Sequence, residues 1–221
     1  CNMGQLRKIY DNLTNGQMCF LLLLVPLFSI IPLVYSSCEA FSHQRRLERP
    51  DFSNPNWSDF LPILYISPVF AIAKIIFKKV STPFYERRMI TMYSGETLKM
   101  KMYKSTRNFF KFFYFLFITA FGFYVLSDTT FHPPLMFGSG NIFYFMSEWP
   151  FINPPRLFKL YYMIGLSYHF EDAVSHFFHP AQNDFFEMLL HHYITIMLIV
   201  WSYMLSFWNL GIIVMIQMDI C

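Results

Sequence analysis

Charged residues are scarce in this sequence. They make up 14% of its 221 residues, whereas an ordinary soluble domain contains about 25%. Hydrophobic residues account for 55% of the chain and aromatic residues for 21%, with 28 phenylalanines. This composition excludes a soluble domain with an ordinary polar surface and indicates a protein that crosses a membrane several times.

The cysteines exclude a second class of structure. Cys1, Cys19, Cys38 and Cys221 show no spacing typical of a metal site or a redox motif, and two of them stand at the chain ends. We therefore expect no disulfide framework. The sequence contains no repeat or low-complexity tract. It begins with Cys and stops inside an apolar run, so we expect truncation at both ends.

Six apolar stretches match, or approach, the length needed to cross the roughly 30 Å hydrocarbon core of a bilayer. They predict an all-α fold, a multi-pass transmembrane helical bundle of about six spans that is incomplete at its C-terminus. For the first stretch a signal-peptide core is the alternative, but the stretch is long for one and has no clear cleavage site. The stretches are Met18–Tyr35, Phe60–Phe77, Phe109–Leu126, Leu157–Val174, Phe185–Ser202 and Gly211–Cys221.

The connections between the stretches predict the orientation of the chain. Lysine and arginine are dense in residues 78–108, which predicts a cytoplasmic loop and places the N-terminus on the same side. The same cations could attract anionic groups such as phosphates, because cations at a membrane surface concentrate anions. Residues 36–59 are expected to form a polar loop on the other side, although Arg45, Arg46 and Arg49 run against that orientation. Residues 127–156 are too rich in proline for a continuous helix and predict a non-cytoplasmic loop.

Two adjacent histidines, His191 and His192, lie in the fifth stretch. Ionisable side chains inside a lipid-embedded helix are costly, so they are candidates for function. Side chains three or four residues apart share a helix face, which joins His191, Thr195, Leu198 and Ser202 in a partly polar stripe. His192 lies about 100° around the helix. One histidine is therefore expected to act and the other to orient it, and a purely structural pair bonded to neighbouring helices remains the alternative.

Asp219 is the only acid in the sixth stretch. A tight turn is predicted at residues 209–211, which would make the fifth and sixth stretches an antiparallel hairpin. At about 1.5 Å per residue, His192 lies roughly 25 Å from that turn and Asp219 about 15 Å. We therefore expect a difference in depth of about 10 Å, which tilting or kinking of the helices closes in part.

This set of residues resembles the Lag motif of the ceramide synthases, which are membrane N-acyltransferases with a TLC domain. The resemblance covers about residues 101–221, and a weaker likeness extends back from there to Phe60. Where the family has an HD pair, this sequence has Met218-Asp219, and the family's arginine before the glycine is Asn209. The matching residues, in order, are Tyr161-Tyr162, Leu166-Ser167-Tyr168, Asp184-Phe185, Glu187-Met188, His191-His192, Thr195, Leu198, Ser202-Tyr203, Gly211, Val214-Met215 and Asp219.

The resemblance implies a TLC-type bundle with two parts. Residues 1–100 would be an N-terminal region with two spans and the basic cytoplasmic loop, and residues 101–221 a partial TLC domain. The implied activity is transfer of a fatty acyl group from acyl-CoA to the amine of a sphingoid base, in the endoplasmic reticulum membrane. The implied catalytic residues are His191, His192 and Asp219, and the implied substrate-binding residues are Ser167, Thr195, Ser202 and Tyr203.

Elementary chemistry is compatible with those roles. A long-chain amine with a pKa of about 10.4 is protonated at neutral pH, and removing its proton costs about 4–5 kcal/mol. His191 could accept that proton as a general base, or attack the thioester and carry the acyl group as a nucleophile. His192 would be its partner, and Asp219 would hold the imidazole in the required tautomer.

Two other functions match parts of the sequence. His176 and His179, near the His191-His192 pair, suggest a histidine-ligated iron oxidase, but seven histidines in the whole chain are too few and too dispersed for a di-iron site. The stronger alternative is a non-catalytic TLC-type protein that senses lipids, carries them or assists translocation. We expect no metal and no cofactor apart from acyl-CoA as co-substrate. The expected partners are the lipid bilayer, a sphingoid base and fatty acyl-CoA, with no nucleic acid, and a homodimer or heterodimer is left open.

Overall fold

The computed structural model of the chain describes six α-helices. They are α1 (Asn15–Glu48), α2 (Ile63–Met89), α3 (Gly95–Ser127), α4 (Arg156–Phe177), α5 (Phe185–Met204) and α6 (Trp208–Ile220), and a short 3-10 helix, Trp57–Phe60, precedes α2. The described residues are 15–91, 93–127, 129–132, 134, 138–141, 144, 146, 148–152, 154, 156–178 and 185–220. Throughout these ranges the predicted all-α class is confirmed. Cys1, Cys221, His179 and Asp184 lie outside them.

Three helices extend far beyond the apolar stretches that predicted them. α1 continues to Glu48, so the expected polar loop at residues 36–59 is helical over its first half. α2 continues to Met89 and α3 already begins at Gly95. The expected basic loop at residues 78–108 is therefore mostly helix. Hydropathy marks where a helix can meet lipid, whereas the backbone hydrogen bonds continue through charged residues with good helix propensity.

Within the part of the chain that the structure describes, two helical stretches are long and apolar enough to cross a membrane, namely Trp57–Met89 and Gly95–Ser127. α2 leaves large apolar side chains uncovered along its length, with Leu64 and Val80 each 71% exposed. Lipid acyl chains suit such a surface, whereas water does not. The described helices are consistent with a helical membrane bundle, and the crossing of a bilayer by all six stays a prediction.

α4 lies at the centre of the bundle and contacts α2, α3, α5 and α6. Its aromatic residues Phe158, Tyr161, Tyr162 and Tyr168 are all buried. Tyr168 stacks on Tyr114 of α3, with the ring centroids 3.5 Å apart. Aromatic side chains bury much area for few rotatable bonds, and here they hold α4 in a fixed rotation between its neighbours.

The turn between α5 and α6 lies at residues 205–207, so the turn predicted at residues 209–211 was wrong. Gly211 is inside α6, where a Cβ atom would come within 1.8 Å of the Tyr162 hydroxyl oxygen. The glycine serves close packing between α4 and α6 rather than a reversal of the chain. His192 stands fourteen residues before Ser206 and Asp219 thirteen after it. The two therefore lie at about the same depth, and the expected difference of about 10 Å disappears.

We predict that Gly211→Ala destabilises the bundle by about 1–3 kcal/mol, because the added methyl group overpacks the α4–α6 contact. Gly165→Ala is the matched control. Its added Cβ would meet only the terminal methyl carbon of Met215, and a methionine side chain can move aside. Thermal unfolding of both variants in detergent measures the difference. Equal midpoints for the two variants would contradict this role for Gly211.

Candidate functional site

Two cavities lie near the histidine pair of α5. The apolar cavity, of about 460 Å³, lies between α4, α5 and α6. The basic cavity, of about 320 Å³, lies between α2, α3 and α4. His191 lines the apolar cavity. His192 is 3% exposed and packs against side chains of both cavities, namely His169 and His176 of α4.

The apolar cavity brings together four of the seven predicted site residues: His191, Thr195, Ser202 and Asp219. The first three belong to the helical stripe, so the periodicity correctly predicted that they share a face. The cavity follows α5 from His191 to the end of the helix and reaches Leu205 in the turn beyond it, a length of about 21 Å at 1.5 Å per residue. Its other walls are largely aliphatic and aromatic. A long, mostly apolar space with a few polar groups on its wall is suited to a lipid chain with a polar head.

Asp219 contributes its carboxylate to the same cavity as His191. The Tyr161 hydroxyl of α4 donates a hydrogen bond to Asp219 Oδ2 at 3.3 Å. In the described part of the chain, no hydrogen bond or ion pair joins Asp219 to His191 or His192. The expectation that Asp219 orients a histidine therefore stays a prediction, now with a shared cavity between the two groups.

His192 faces a different acid. Its Nε2 atom lies 3.3 Å from Asp172 Oδ2, and Asp172 is a buried residue of α4. The sequence analysis missed this partner because it placed the acid, Asp219, on the helix that follows α5, whereas Asp172 is on the helix that precedes it. A signal was present, since Glu171 and Asp172 are adjacent acids within an otherwise apolar stretch and such residues are costly in lipid unless paired.

Three cations surround Asp172. Lys74 Nζ of α2 lies 2.8 Å from Asp172 Oδ1, and Lys111 Nζ of α3 lies 3.2 Å from Asp172 Oδ2. Arg107 of α3 approaches to 4.0 Å, and Lys74 also pairs with Glu171. A buried carboxylate needs such partners, because an uncompensated charge in a low-dielectric interior is strongly unfavourable.

Ser167 and Tyr203 line neither cavity. Ser167 is fully buried, and its hydroxyl donates to the carbonyl of Met163, one turn earlier in α4, at 2.6 Å. The Tyr203 hydroxyl donates to Asp59 Oδ2 at 2.8 Å, which ties α5 to the 3-10 helix before α2. Tyr203 follows Ser202 by one residue and so points about 100° away from it. Both side chains have structural partners here, and their predicted contact with substrate has no support from this geometry.

The basic cavity carries an excess of positive charge. Its walls include Lys74, Lys78, Arg107 and Lys111, against the two carboxylates of Glu171 and Asp172. Lysine and arginine on the wall of a cleft concentrate anions, most strongly where the walls have a low dielectric constant. The cavity is therefore suited to an anionic group. Among the described residues, no group of three or more His, Cys, Asp or Glu could hold a metal ion.

Comparison with known proteins decides the family. The model of the TLC domain matches residues 104–221, which is more than half of the chain. The chain belongs to the TLC-domain family. The resemblance to the ceramide synthases is thereby confirmed at the level of the domain, with all seven predicted site residues inside the match.

Two curated relatives each match about half of the chain. Sphingosine N-acyltransferase lac1 of Schizosaccharomyces pombe is 32% identical over 108 residues, which are 48% of this chain and 27% of the relative. Ceramide synthase hyl-1 of Caenorhabditis elegans is 24% identical over 112 residues, which are 51% of this chain and 28% of the relative. The matches thus span little more than a quarter of each relative's length.

The residues matched by the TLC-domain model do not include all the partners of Asp172 or all the walls of the basic cavity. Lys74 and Lys78 lie on α2, before the matched residues, whereas Arg107, Lys111 and Asp172 lie within them. The predicted division at residues 100 and 101 falls inside α3, which runs unbroken from Gly95. The division into two parts stays a prediction, and the two parts share one set of ion pairs.

We predict that Lys74→Met destabilises the protein by about 1–3 kcal/mol, because it removes the cation shared by Glu171 and Asp172. Lys79→Met is the control, since Lys79 is an exposed cation five residues along the same helix. Its effect is expected to stay within about 0.5 kcal/mol. Unfolding midpoints in detergent compare the two, and a control as destabilised as Lys74→Met would argue against the shared ion pair.

Proposed function

We propose that this chain is the core of a ceramide synthase, a sphingosine N-acyltransferase that moves a fatty acyl group from acyl-CoA to the amine of a sphingoid base. One observation carries the proposal: His191 and Asp219 share an apolar cavity of about 460 Å³ within the TLC domain. The names of the two curated relatives, a sphingosine N-acyltransferase and a ceramide synthase, support the same activity.

His191 is the histidine that meets the reacting groups in this proposal. It lines the cavity, whereas His192 is buried against Asp172. The amine nitrogen attacks the thioester carbonyl carbon, the carbon–sulfur bond breaks, and the thiolate of CoA leaves. His191 acts first as a general base, taking one proton from the substrate ammonium and releasing it to water, so that the neutral amine can attack. It then takes the second proton from the attacking nitrogen and, as a general acid, gives it to the thiolate, so that the products are the amide and free CoA. In the alternative route the His191 imidazole attacks first and carries the acyl group until the amine displaces it.

Asp219 and His192 assist His191 from opposite sides. Asp219 stabilises positive charge on the substrate amine or on the imidazole across the cavity, as an aspartate does in a catalytic triad. The His192–Asp172 pair holds the polar end of α5 at a fixed position and rotation. Thr195 and Ser202 offer hydroxyl groups along the same wall, where they can bind polar atoms of the two lipids.

The basic cavity is proposed to receive the phosphates of acyl-CoA. Lys78 and Arg107 belong to residues 78–108, which the positive-charge distribution assigns to the cytoplasm, and Lys74 and Lys111 lie within four residues of that segment. Charge-assisted hydrogen bonds from lysine and arginine are the usual means of binding phosphate. The acyl donor would then approach the histidine pair from the cytoplasmic side, while the lipid amine reaches it from the bilayer.

The membrane location and the substrates of the proposed reaction are inferred from the family. We place the protein in the endoplasmic reticulum membrane with about six spans, the lipid bilayer being its medium and a sphingoid base and acyl-CoA its substrates. Neither a metal nor a further cofactor enters the proposed reaction, since proton transfer and displacement of a thiolate need none. Assembly as a monomer, homodimer or heterodimer is compatible with the proposal.

We predict that His191→Ala, in the complete protein in membranes, lowers ceramide formation from acyl-CoA by about 10²–10⁴-fold, because general-base or nucleophilic help is lost. His43→Ala is the matched control, since His43 is exposed on α1 and lines neither cavity. Product is measured by mass spectrometry at equal protein levels. Turnover retained by His191→Ala would contradict the role of His191 as general base or nucleophile.

A second prediction concerns the acyl donor. Lys78→Gln should raise the KM for acyl-CoA about tenfold, because one charge-assisted contact to phosphate is lost, and it should change kcat much less. Lys79→Gln, the neighbouring exposed cation outside the cavity lining, should leave the KM unchanged. Steady-state kinetics with varied acyl-CoA at fixed sphingoid base tests this. An unchanged KM in Lys78→Gln would exclude the basic cavity as the phosphate site.

The alternative function is a non-catalytic TLC-type protein that senses, carries or helps translocate lipids. One observation favours it: Met218, where the family has a histidine, lines the cavity beside Asp219. The thioether of Met218 cannot transfer protons, so Asp219 lacks the histidine that precedes it in the family's HD pair. Binding of both sphingosine and acyl-CoA by the parent protein, without ceramide formation, would favour this alternative over the enzyme.

A further inference from the structure

The turn between α5 and α6 has an unusual backbone. Ser206 has a φ of 57°, a left-handed conformation that glycine normally takes at the end of a helix. Phe207 N donates to Ser202 O at 2.9 Å and Ser206 N donates to Tyr203 O at 3.1 Å. These two bonds form a Schellman motif. Without the freedom of glycine, this turn needs support from elsewhere in the molecule.

That support comes in part from Arg45 of α1. The side chain is 1% exposed, and one terminal nitrogen donates to Met204 O at 3.0 Å. The other terminal nitrogen donates to the Ser206 hydroxyl. The guanidinium thus caps the last carbonyl of α5, where the helix dipole is negative, and holds the side chain of the strained residue. It also lies over the Phe41 ring, 4.7 Å from its centroid.

Trp149, in the segment before α4, completes the outer side of the turn. Its Nε1 donates to Leu205 O at 3.2 Å. Its ring stacks on Phe207 at 5.4 Å and on Phe41 at 5.6 Å between centroids. Two carbonyls at the end of α5 are therefore satisfied by side chains from outside α5 and α6, and an aromatic stack covers them.

The inner side of the same turn belongs to the apolar cavity. Leu205 and Phe207 both line it, at the end that lies about 21 Å from His191. Any movement of the turn therefore changes the space available at this end of the cavity. Arg45 touches the turn from the other side and does not line the cavity itself.

We propose that Arg45 is a positioning residue for the apolar cavity: it fixes the α5–α6 turn and thereby determines how long an apolar chain the cavity accepts. Arg45 lies before residues 104–221, so the N-terminal helix becomes part of the selectivity of the TLC domain. That the chain is an acyl or sphingoid chain rests on the proposed function. The position of the turn relative to His191 is a property of the fold alone.

The test measures product profiles rather than total activity. The complete protein in membranes receives one sphingoid base and an equimolar series of saturated acyl-CoAs of graded length. Arg45→Met should change the ratio of products that differ by one methylene by about fourfold, the effect of burying or excluding one methylene. Arg45→Lys and Ser206→Ala should shift the profile in the same direction by less. Arg46→Met, at an exposed neighbouring arginine, should keep the parent profile.

A rescue variant separates positioning from general stability. Glycine adopts the left-handed conformation without strain, so Ser206→Gly combined with Arg45→Met should return the profile toward that of the parent. A merely structural role would lower total product and leave the ratios unchanged. Parent ratios in both Arg45→Lys and Ser206→Ala overturn the proposal, and these milder variants decide it if Arg45→Met does not fold. An equal shift in Arg46→Met overturns it as well.

A second readout is independent of turnover. Fatty acids of graded length that carry a terminal diazirine are photolysed with the purified protein, and labelled residues are identified by mass spectrometry. The length that most strongly labels Leu205 or Phe207 should change in Arg45→Met and not in Arg46→Met. If the parent protein forms no ceramide, the proposed function fails while this measurement still decides the role of Arg45. The same optimal length in Arg45→Met and the parent overturns the proposal.

Discussion

The ion pairs around Asp172 are the interaction on which the arrangement of the site depends. This carboxylate of α4 meets Lys74 of α2, Lys111 of α3 and His192 of α5, all within 3.3 Å. Four helices are thereby fixed at one level of the bundle. Charges in a low-dielectric interior are tolerated only when paired in good geometry, so rotation or sliding of any of these helices would leave a charge without its partner.

The ion pairs around Asp172 also determine which of the two histidines lines the apolar cavity. His192 is turned toward Asp172 and away from the apolar cavity, which leaves His191 on the cavity wall. Adjacent residues on a helix differ in direction by about 100°, so anchoring one of them determines where the other points. The lysines of these ion pairs line the basic cavity. An anionic donor and an apolar chain can therefore approach the histidine pair from different sides.

Two side chains from outside the TLC domain also hold the site in position. Lys74 and Arg45 both precede the matched residues, yet one holds the acid that positions the histidines and the other holds the turn at the far end of the apolar cavity. α5 is thus held near His192 by Asp172 of α4, the carboxylate that pairs with Lys74, and at its C-terminal end by Arg45 of α1. A helix held at two points along its length keeps its cavity-lining face at a constant depth and rotation.

Local periodicity was enough for part of the candidate site. His191, Thr195 and Ser202 share a cavity wall because spacings of three and four residues put side chains on one helix face wherever the helix is placed. The all-α class followed from the long apolar stretches in the same way. The ends of the helices did not follow, since α1, α2 and α3 continue through charged residues that hydropathy assigns to loops. The turn was predicted at Gly211, which instead packs closely against Tyr162. A sequence does not distinguish a glycine needed for close packing from one needed for a chain reversal.

The sequence by itself determined the helical class and the polar stripe of α5, because both depend on the spacing of neighbouring residues. The membership of the TLC-domain family also follows from the sequence alone, through the match over residues 104–221. Only the tertiary structure decided which acid faces which histidine. Asp172 is twenty residues from His192, Lys74 is almost a hundred residues from Asp172, and Asp219 reaches the cavity only because the turn lies at residues 205–207. Such pairings depend on how helices rotate and slide against one another, and packing across the whole bundle sets that rotation.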